Sequence, residues 1–189
     1  MLHIITGPMF SGKTTELQRV VHRHILAQKK AVIFRPEIDN RFSKKIVTHD
    51  KKECLESTVW VKYCPVSIGN HYPINKEDFE DFDVIGIDEF QFFGCAIVQT
   101  IEACLSLGKH VIAAGLNRDY RGRHFPPAGE LLALADKITM LSAVCTICGE
   151  DAGYSARLSD DGQLIKVGAA DDYTALCRRH FSLVKRLKK

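Results

Sequence analysis

A phosphate-binding loop dictates its own surroundings, and this chain carries a complete one close to its start. Gly7-Pro8-Met9-Phe10-Ser11-Gly12-Lys13-Thr14 fills every fixed position of G-x-x-x-x-G-K-[ST], with Thr15 directly behind it. Such a loop works only between a strand and a helix, because its backbone N–H groups and the helix N-terminus must converge on one anion. Leu2-His3-Ile4-Ile5-Thr6 reads as a short buried strand, and Thr15 to Gln28 repeats apolar residues at helical spacing through Leu17, Val20, Val21 and Ile25. The order strand, loop, helix predicts a nucleoside triphosphate site. Lys13 then neutralises the outer phosphates and the Thr14 hydroxyl is placed to ligate Mg²⁺. A Gly/Ser turn with an incidental lysine explains neither the flanking elements nor the full spacing.

The 189 residues suffice for one main domain with a small appendage. Hydrophobic residues at 46% and charged residues at 26% give no sign of disorder, and every apolar run is too short to cross a bilayer. With the first strand starting at Leu2, no export segment is expected ahead of the phosphate loop, so a cytoplasmic location is expected. A net charge of +3 is too mild to demand nucleic acid as a partner. Arg178, Arg179, Lys185, Arg186, Lys188 and Lys189 make the tail locally basic, which reads as a frayed surface helix.

Strand and helix signals alternate along the chain and predict an α/β core with a parallel sheet. Lys30 to Phe34 reads as a strand that the chain leaves at Arg35-Pro36. The charged segment from Glu37 to Asp50 fits a loop over the phosphate site. Val59-Trp60-Val61 reads as a strand and Lys76 to Phe82 as a helix. Gln91 to Gly108 reads as one helix, Lys109 to Gly115 as a buried strand, Pro126 to Ala135 as containing a helix, and Ile138 to Ala143 as a closing strand.

Phe82-Asp83-Val84-Ile85-Gly86-Ile87-Asp88-Glu89 is an apolar run ending in two carboxylates, the pattern of a buried parallel strand with functional groups at its carboxyl end. A phosphate-loop enzyme needs an acidic group there to hold Mg²⁺, and Asp88 stands in that place. Adjacent residues leaving a strand point in different directions, so Glu89 is free to take a proton from an acceptor hydroxyl. The competing reading is that the pair caps a helix beginning near Gln91.

Seven cysteines, an odd number, argue for reduced thiols rather than a disulfide framework. Cys54, Cys64, Cys95 and Cys104 lack ligand spacing and read as small buried apolar side chains. Cys145-Thr146-Ile147-Cys148 and Cys177-Arg178-Arg179-His180 instead form two ligand pairs that together suit a closed, structural zinc site. A redox C-x-x-C explains neither the distant second pair nor His180. Joining the pairs closes Gly149 to Leu176 into a loop able to act as a substrate lid. Its Gly168-Ala169-Ala170-Asp171-Asp172-Tyr173 segment offers small residues and then an aromatic ring to a ligand.

With these residues assembled, the chain resembles the type II thymidine kinases, which combine a RecA-like P-loop core with a zinc-tethered lasso. The resemblance runs from Gly7 to His180 and rests on positions 7 to 15, Asp39-Asn40-Arg41 with Thr48-His49-Asp50, and Asp88-Glu89-Phe90-Gln91-Phe92. Ala114-Gly115-Leu116-Asn117, Leu141-Ser142-Ala143-Val144-Cys145 and Val167-Gly168-Ala169-Ala170-Asp171-Asp172-Tyr173 complete it. It implies a P-loop α/β domain over residues 1–141 and a zinc-binding lasso domain over 142–189. It implies transfer of the γ-phosphoryl group of ATP to the 5′-hydroxyl of thymidine, with Glu89 as general base and Lys13 and Arg41 stabilising the transferring group. ATP and Mg²⁺ then fall to Gly7, Pro8, Met9, Phe10, Ser11, Gly12, Lys13, Thr14, Thr15, Asp88 and Gln91. Thymidine falls to Met9, Leu116, Tyr120, Val167, Gly168 and Tyr173. By the same resemblance the protein is expected to be a homotetramer inhibited by thymidine triphosphate, with no obligatory nucleic acid and no membrane. Tyr120 stands where the family usually has Phe, and its added hydroxyl must find a partner or remain wet. A different class, a P-loop ATPase whose zinc ribbon and basic tail bind nucleic acid, is disfavoured by the near-balanced charge and the absence of aromatics interleaved with basic residues.

Overall fold

The computed structural model describes residues 1–36, 60–64, 66–67, 70–71, 74–157 and 172–187. Arg41, Val167 and Gly168 lie outside the described residues, as do the Asp39-Asn40-Arg41 and Thr48-His49-Asp50 motifs, Cys54, the segment 168–171, and Lys188 and Lys189.

Six parallel strands form the central sheet: β1 (Leu2–Thr6), β2 (Ala31–Pro36), β3 (Trp60–Cys64), β6 (Val84–Ile87), β7 (His110–Gly115) and β8 (Lys137–Met140). Two short antiparallel strands, β4 (Val66–Ser67) and β5 (Asn70–His71), pair with each other after β3. The sheet order is β3-β2-β6-β7-β1-β8, so β7 lies between the strand that feeds the phosphate loop and the strand that ends in Asp88. Around the sheet run α1 (Lys13–Leu26), the four-residue α2 (Lys76–Phe79), α3 (Ala96–Ser106) and α4 (Pro126–Leu134). This is the expected P-loop α/β fold.

The four inner strands, β1, β2, β6 and β7, are apolar almost throughout because both faces are covered, and their alternation sorts side chains into two clusters. Ile5, Ala31, Ile33, Val84, Ile112 and Ala114 pack beneath Leu17 and Val21 of α1. Leu2, Ile4, Val32, Phe34, Ile85, Ile87, Val111 and Ala113 face the other way, toward α3, α4 and Phe90. Helix α1 ends where Gln28 takes φ 60°: Gln28 N–H bonds to the Ile25 carbonyl at 2.8 Å and Lys29 N–H to that of His24 at 3.1 Å. This is the paired closure that satisfies the last carbonyls of a helix, made here with a residue other than glycine.

Four expectations are corrected. Strand β2 does not stop at Arg35-Pro36 but runs through both, Pro36 pairing with Cys64 at a register where β6 has already ended. Pro36 there has a neighbouring strand on one side only, which is where a residue without an N–H fits. The helix expected from Gln91 to Gly108 is broken into a 3-10 turn, Phe90–Phe92, and α3, because Gly94 takes φ 62° and redirects the chain. The strand expected from Ile138 to Ala143 ends at Met140, and Ala143–Val144 forms β9, which pairs antiparallel with β10 (Asp151–Ala152) outside the sheet. Cys104 is buried, its thiol pushed up to about 12 by desolvation, and Cys64 is half-buried, but Cys95 is exposed beside Gly94 rather than packed in the core. Among the described residues no helix is long and apolar enough to cross a membrane.

Beyond β10, strands β11 (Tyr154–Arg157) and β12 (Tyr173–Leu176) pair antiparallel, and α5 (Arg178–Leu187) follows. Ala143, Ala152, Ala156, Ala175, Leu176 and Phe181 form a third, much smaller apolar cluster with Cys145 and Cys177.

Candidate active site and metal centre

The phosphate loop joins β1 to α1 through residues that adopt unusual backbone angles. Phe10 has φ 66° and Gly12, the residue before the helix, φ 79°. At Gly7 a Cβ atom would lie 2.4 Å from the Leu141 carbonyl oxygen, so only glycine lets the loop pass that close to the end of β8. The N-cap position offers no side-chain acceptor to the first N–H groups of α1, and those groups are the ones an anion takes up. Lys13 lies buried over the loop, donating to the Pro8 carbonyl at 2.6 Å, and the Ser11 hydroxyl donates to the same oxygen at 2.8 Å. Burial lowers the Lys13 pKa, and the Glu89 and Asp88 carboxylates oppose that shift. An ammonium poised among neutral carbonyls and two acids is the kind a polyphosphate displaces from its resting contact.

Asp88 is buried at the carboxyl end of β6, with Thr14 Oγ1 3.2 Å from both its oxygens. Arg35, also buried, places a guanidinium nitrogen 3.0 Å from Asp88 Oδ2. A hydroxyl and a carboxylate that meet in this way are the hard oxygen donors that suit Mg²⁺. Sequence reasoning missed Arg35: its signal was only a cation directly after the expected strand end, and its partner arrives from the end of another strand.

Glu89 leaves the strand with φ 52° and ψ 47°, a left-handed conformation that costs a non-glycine residue energy, and its N–H donates to Asp88 Oδ1 at 3.1 Å. Its carboxylate makes no side-chain cap to the turn Phe90–Phe92, so the competing reading of Asp88-Glu89 as a helix cap is not what the structure holds. Instead Glu89 Oε2 accepts from Gln91 Nε2 at 2.5 Å, while Gln91 Oε1 accepts from the backbone N–H of Leu116 at 2.8 Å. Gln91, expected among the ATP contacts, therefore bridges Glu89 to Leu116, a residue expected on the thymidine side.

Strand β11 carries two side chains that sequence reasoning did not single out. Ser155 and Arg157 are two residues apart, hence on one face, and both are buried. Ser155 Oγ accepts from the Met9 N–H at 2.8 Å, tying the C-terminal unit to the phosphate loop. The Arg157 guanidinium lies 4.1 Å from the centre of the Tyr120 ring and 5.4 Å from that of Tyr173, and donates to the Tyr173 hydroxyl at 2.9 Å. The Tyr120 hydroxyl has its partner in Arg121 Nε, at 2.8 Å. Met9, Tyr120 and Tyr173 are thus connected through β11. No short-range pattern marks Ser155 or Arg157, whose partners lie on distant segments.

On the opposite face of β11, Tyr154 stacks on Phe181 of α5 with ring centres 4.5 Å apart, and Arg118 and Arg178 lie over the Tyr154 ring. Close by, the ligand atoms of Cys145, Cys148, Cys177 and His180 all fall within 4.8 Å of one another. The first pair sits on a tight turn closed by Gly149 N–H to the Cys145 carbonyl, and the second on the turn that opens α5. Cys148 and Cys177 sulfurs are 3.9 Å apart, and His180 Nδ1 is 3.3 and 3.6 Å from the Cys177 and Cys145 sulfurs. A tetrahedron with Zn–S bonds of about 2.3 Å has an edge of about 3.8 Å, so four atoms at these separations fit zinc. Burial works against the Cys145 thiolate, yet hydrogen bonds from the backbone of Cys177, Ile147 and Cys148 and from His180 bring its pKa down to about 6. That favours the form a metal takes.

Comparison with known proteins agrees with this geometry. The chain is 42% identical over 186 residues to a thymidine kinase of Thermococcus kodakarensis, covering 95% of this chain and 92% of that protein. The sequence profile of the thymidine kinase family matches residues 1–181, and the chain belongs to that family.

Proposed function

We propose that Glu89 is the general base of the thymidine kinase reaction this chain carries out. The observation that supports the reading is the division of labour at the end of β6: Asp88 is engaged by Thr14 and Arg35, while the Glu89 carboxylate accepts from Gln91, which in turn accepts from Leu116 N–H. In this reaction the 5′-hydroxyl of thymidine gives its proton to Glu89, its oxygen bonds to the γ-phosphorus of ATP, and the bond from that phosphorus to the β,γ-bridging oxygen breaks. Thymidine monophosphate and ADP result. Gly7 to Thr15 hold the triphosphate through backbone N–H groups, and Lys13 leaves the Pro8 carbonyl for the outer phosphates. Thr14 and Asp88 would hold Mg²⁺, which when bound neutralises phosphate charge.

Met9, Leu116, Tyr120 and Tyr173 line the nucleoside pocket in this reading. Arg41 on the transferring phosphoryl group and the backbone of Val167 and Gly168 on the base are carried by the family resemblance alone. The zinc-tethered lasso of residues 142–189 covers the site that the P-loop domain of 1–141 builds, and thymidine triphosphate is its feedback inhibitor. The exposed Ile138 and Met140 on strand β8 agree with association into a homotetramer.

Glu89→Gln tests the base. Turnover is expected to fall by about 10²- to 10⁴-fold while ATP affinity, measured by calorimetry, is kept. Near-normal turnover would remove Glu89 from the role.

A further inference from the structure

We propose that Gln91 is a positioning residue for Glu89, locking the carboxylate to the strand end that carries the nucleoside wall; this rests on the reading of Glu89 as base. The side chain is 5% exposed, and its amide uses both ends. Nε2 donates to Glu89 Oε2 at 2.5 Å and Oε1 accepts from Leu116 N–H at 2.8 Å. An amide is the side-chain group that offers a donor and an acceptor from one rigid plane, so fixing the acceptor on the backbone of Leu116 fixes where the donor holds Glu89.

The end of β7 is shaped to admit the amide. A Cβ at Gly115 would stand 2.6 Å from Gln91 Oε1 and 2.7 Å from atoms of the Phe90 ring, so the strand end is bare at the point where the amide passes. Phe90 is fully buried against the sheet and holds the start of the turn that carries Gln91. Glu89 stands in a left-handed backbone conformation just before that turn, and the Gln91 amide is a side-chain donor that reaches its carboxylate there. Through Gln91 the carboxylate is registered to β7, the strand next to β6, and so to the residues expected to contact the nucleoside. Such registration matters because a misplacement of about 1 Å at a reacting group can cost on the order of 10²-fold in rate.

The test uses Gln91→Met, which keeps length and removes both bonds, and Gln91→Glu, which keeps an acceptor for Leu116 but replaces the donor by a second carboxylate. Steady-state constants for ATP and thymidine are measured for each, alone and with Glu89→Gln. Both single variants are expected to lose about 10- to 100-fold in kcat with ATP affinity retained. Adding Gln91→Met to Glu89→Gln is expected to cost little more, since the residue acts through the group already removed. Wild-type kcat in either single variant overturns the proposal, as does a double variant in which the two losses multiply. Should Gln91→Met fail to bind ATP, Gln91→Glu with its retained Leu116 acceptor decides the question by the same criteria. A Glu89→Gln enzyme of normal turnover defeats the base reading instead, and a dead Glu89→Gln beside an unaffected Gln91→Met defeats only the positioning role.

Discussion

The parallel sheet and the C-terminal unit are stabilised by different means, although both contribute to one site. The sheet has two extensive apolar clusters, one on each face, drawn from its four inner strands and from the helices that cover them. The C-terminal unit has two-stranded sheets and a cluster of alanines with one leucine and one phenylalanine. So little apolar surface does not fix a unique arrangement of β9 to β12 and α5, and the remaining constraint comes from four metal ligands and a stack of aromatic and guanidinium groups. The phosphate loop thus stands on the first kind of structure, while the second kind, tied to the loop by the bond from Met9 N–H to Ser155 Oγ, is a unit whose order depends on chemistry.

The largest expected effect comes from removing the metal. Structural zinc in small modules contributes about 10–16 kcal/mol of apparent binding free energy, which is folding free energy for the segment it closes. Treatment with a strong chelator, or Cys148→Ser, should release the amides of Ala152 and Leu176 to rapid hydrogen exchange while those of Ile5 and Ile112 stay protected. Thymidine affinity should fall far more than ATP affinity, because Ser155 and Arg157 belong to the released unit. Protected Ala152 and Leu176 amides after complete metal removal would mean that the unit is held by its apolar cluster, and the contrast would fail.

A core truncation should behave in the opposite way. Phe34 is 1% exposed and packs within the cluster that faces α3 and α4. Phe34→Ala should cost about 3–5 kcal/mol through lost burial and the cavity left behind. Urea unfolding should show the loss as a lower midpoint with an unchanged slope, and zinc content should stay at that of the parent protein. Loss of zinc in step with stability would show that the C-terminal unit does not hold its metal independently of the sheet.

The same division explains which residues were legible in the sequence. Gly7 to Thr14, Asp88-Glu89 and the two ligand pairs are local patterns, each set by spacing within one loop, strand end or turn, and the structure assembles them where the spacing places them. Arg35, Ser155 and Arg157 were not legible, because what makes each of them part of the site is a partner brought from a distant segment by the fold: Asp88 just past β6, Met9 in the phosphate loop, Tyr173 on β12. Gln91 was legible as a member of a motif but not in its contact, since Leu116 comes from the end of β7. The break at Gly94 was hidden because apolar residues continue at helical spacing on both sides of it, and periodicity carries no information about a single left-handed residue. Cys95 was misplaced for the same reason, as its exposure follows from that break.

The smallest expected effect concerns the aromatic stack, and it sharpens the comparison most closely. Tyr154 stacks on Phe181 and also meets the guanidinium groups of Arg118 and Arg178, so it links β11 to α5 and to the loop after β7. Tyr154→Leu keeps an apolar side chain of moderate size but removes the ring stack and the cation–π contacts, at a cost of about 1–2 kcal/mol. In the zinc-loaded protein that cost should be absorbed: thermal unfolding of the sheet should be unmoved, and the amide of Leu176 should exchange only modestly faster. When zinc is limited by a competing chelator, the variant should release its metal at a lower chelator concentration than the parent, because stack and ligands stabilise the same folded unit and weakening one weakens binding at the other. Equal zinc affinity in the two proteins would mean that the stack contributes nothing to the ordered unit, leaving the four ligands to organise the C-terminal unit by themselves.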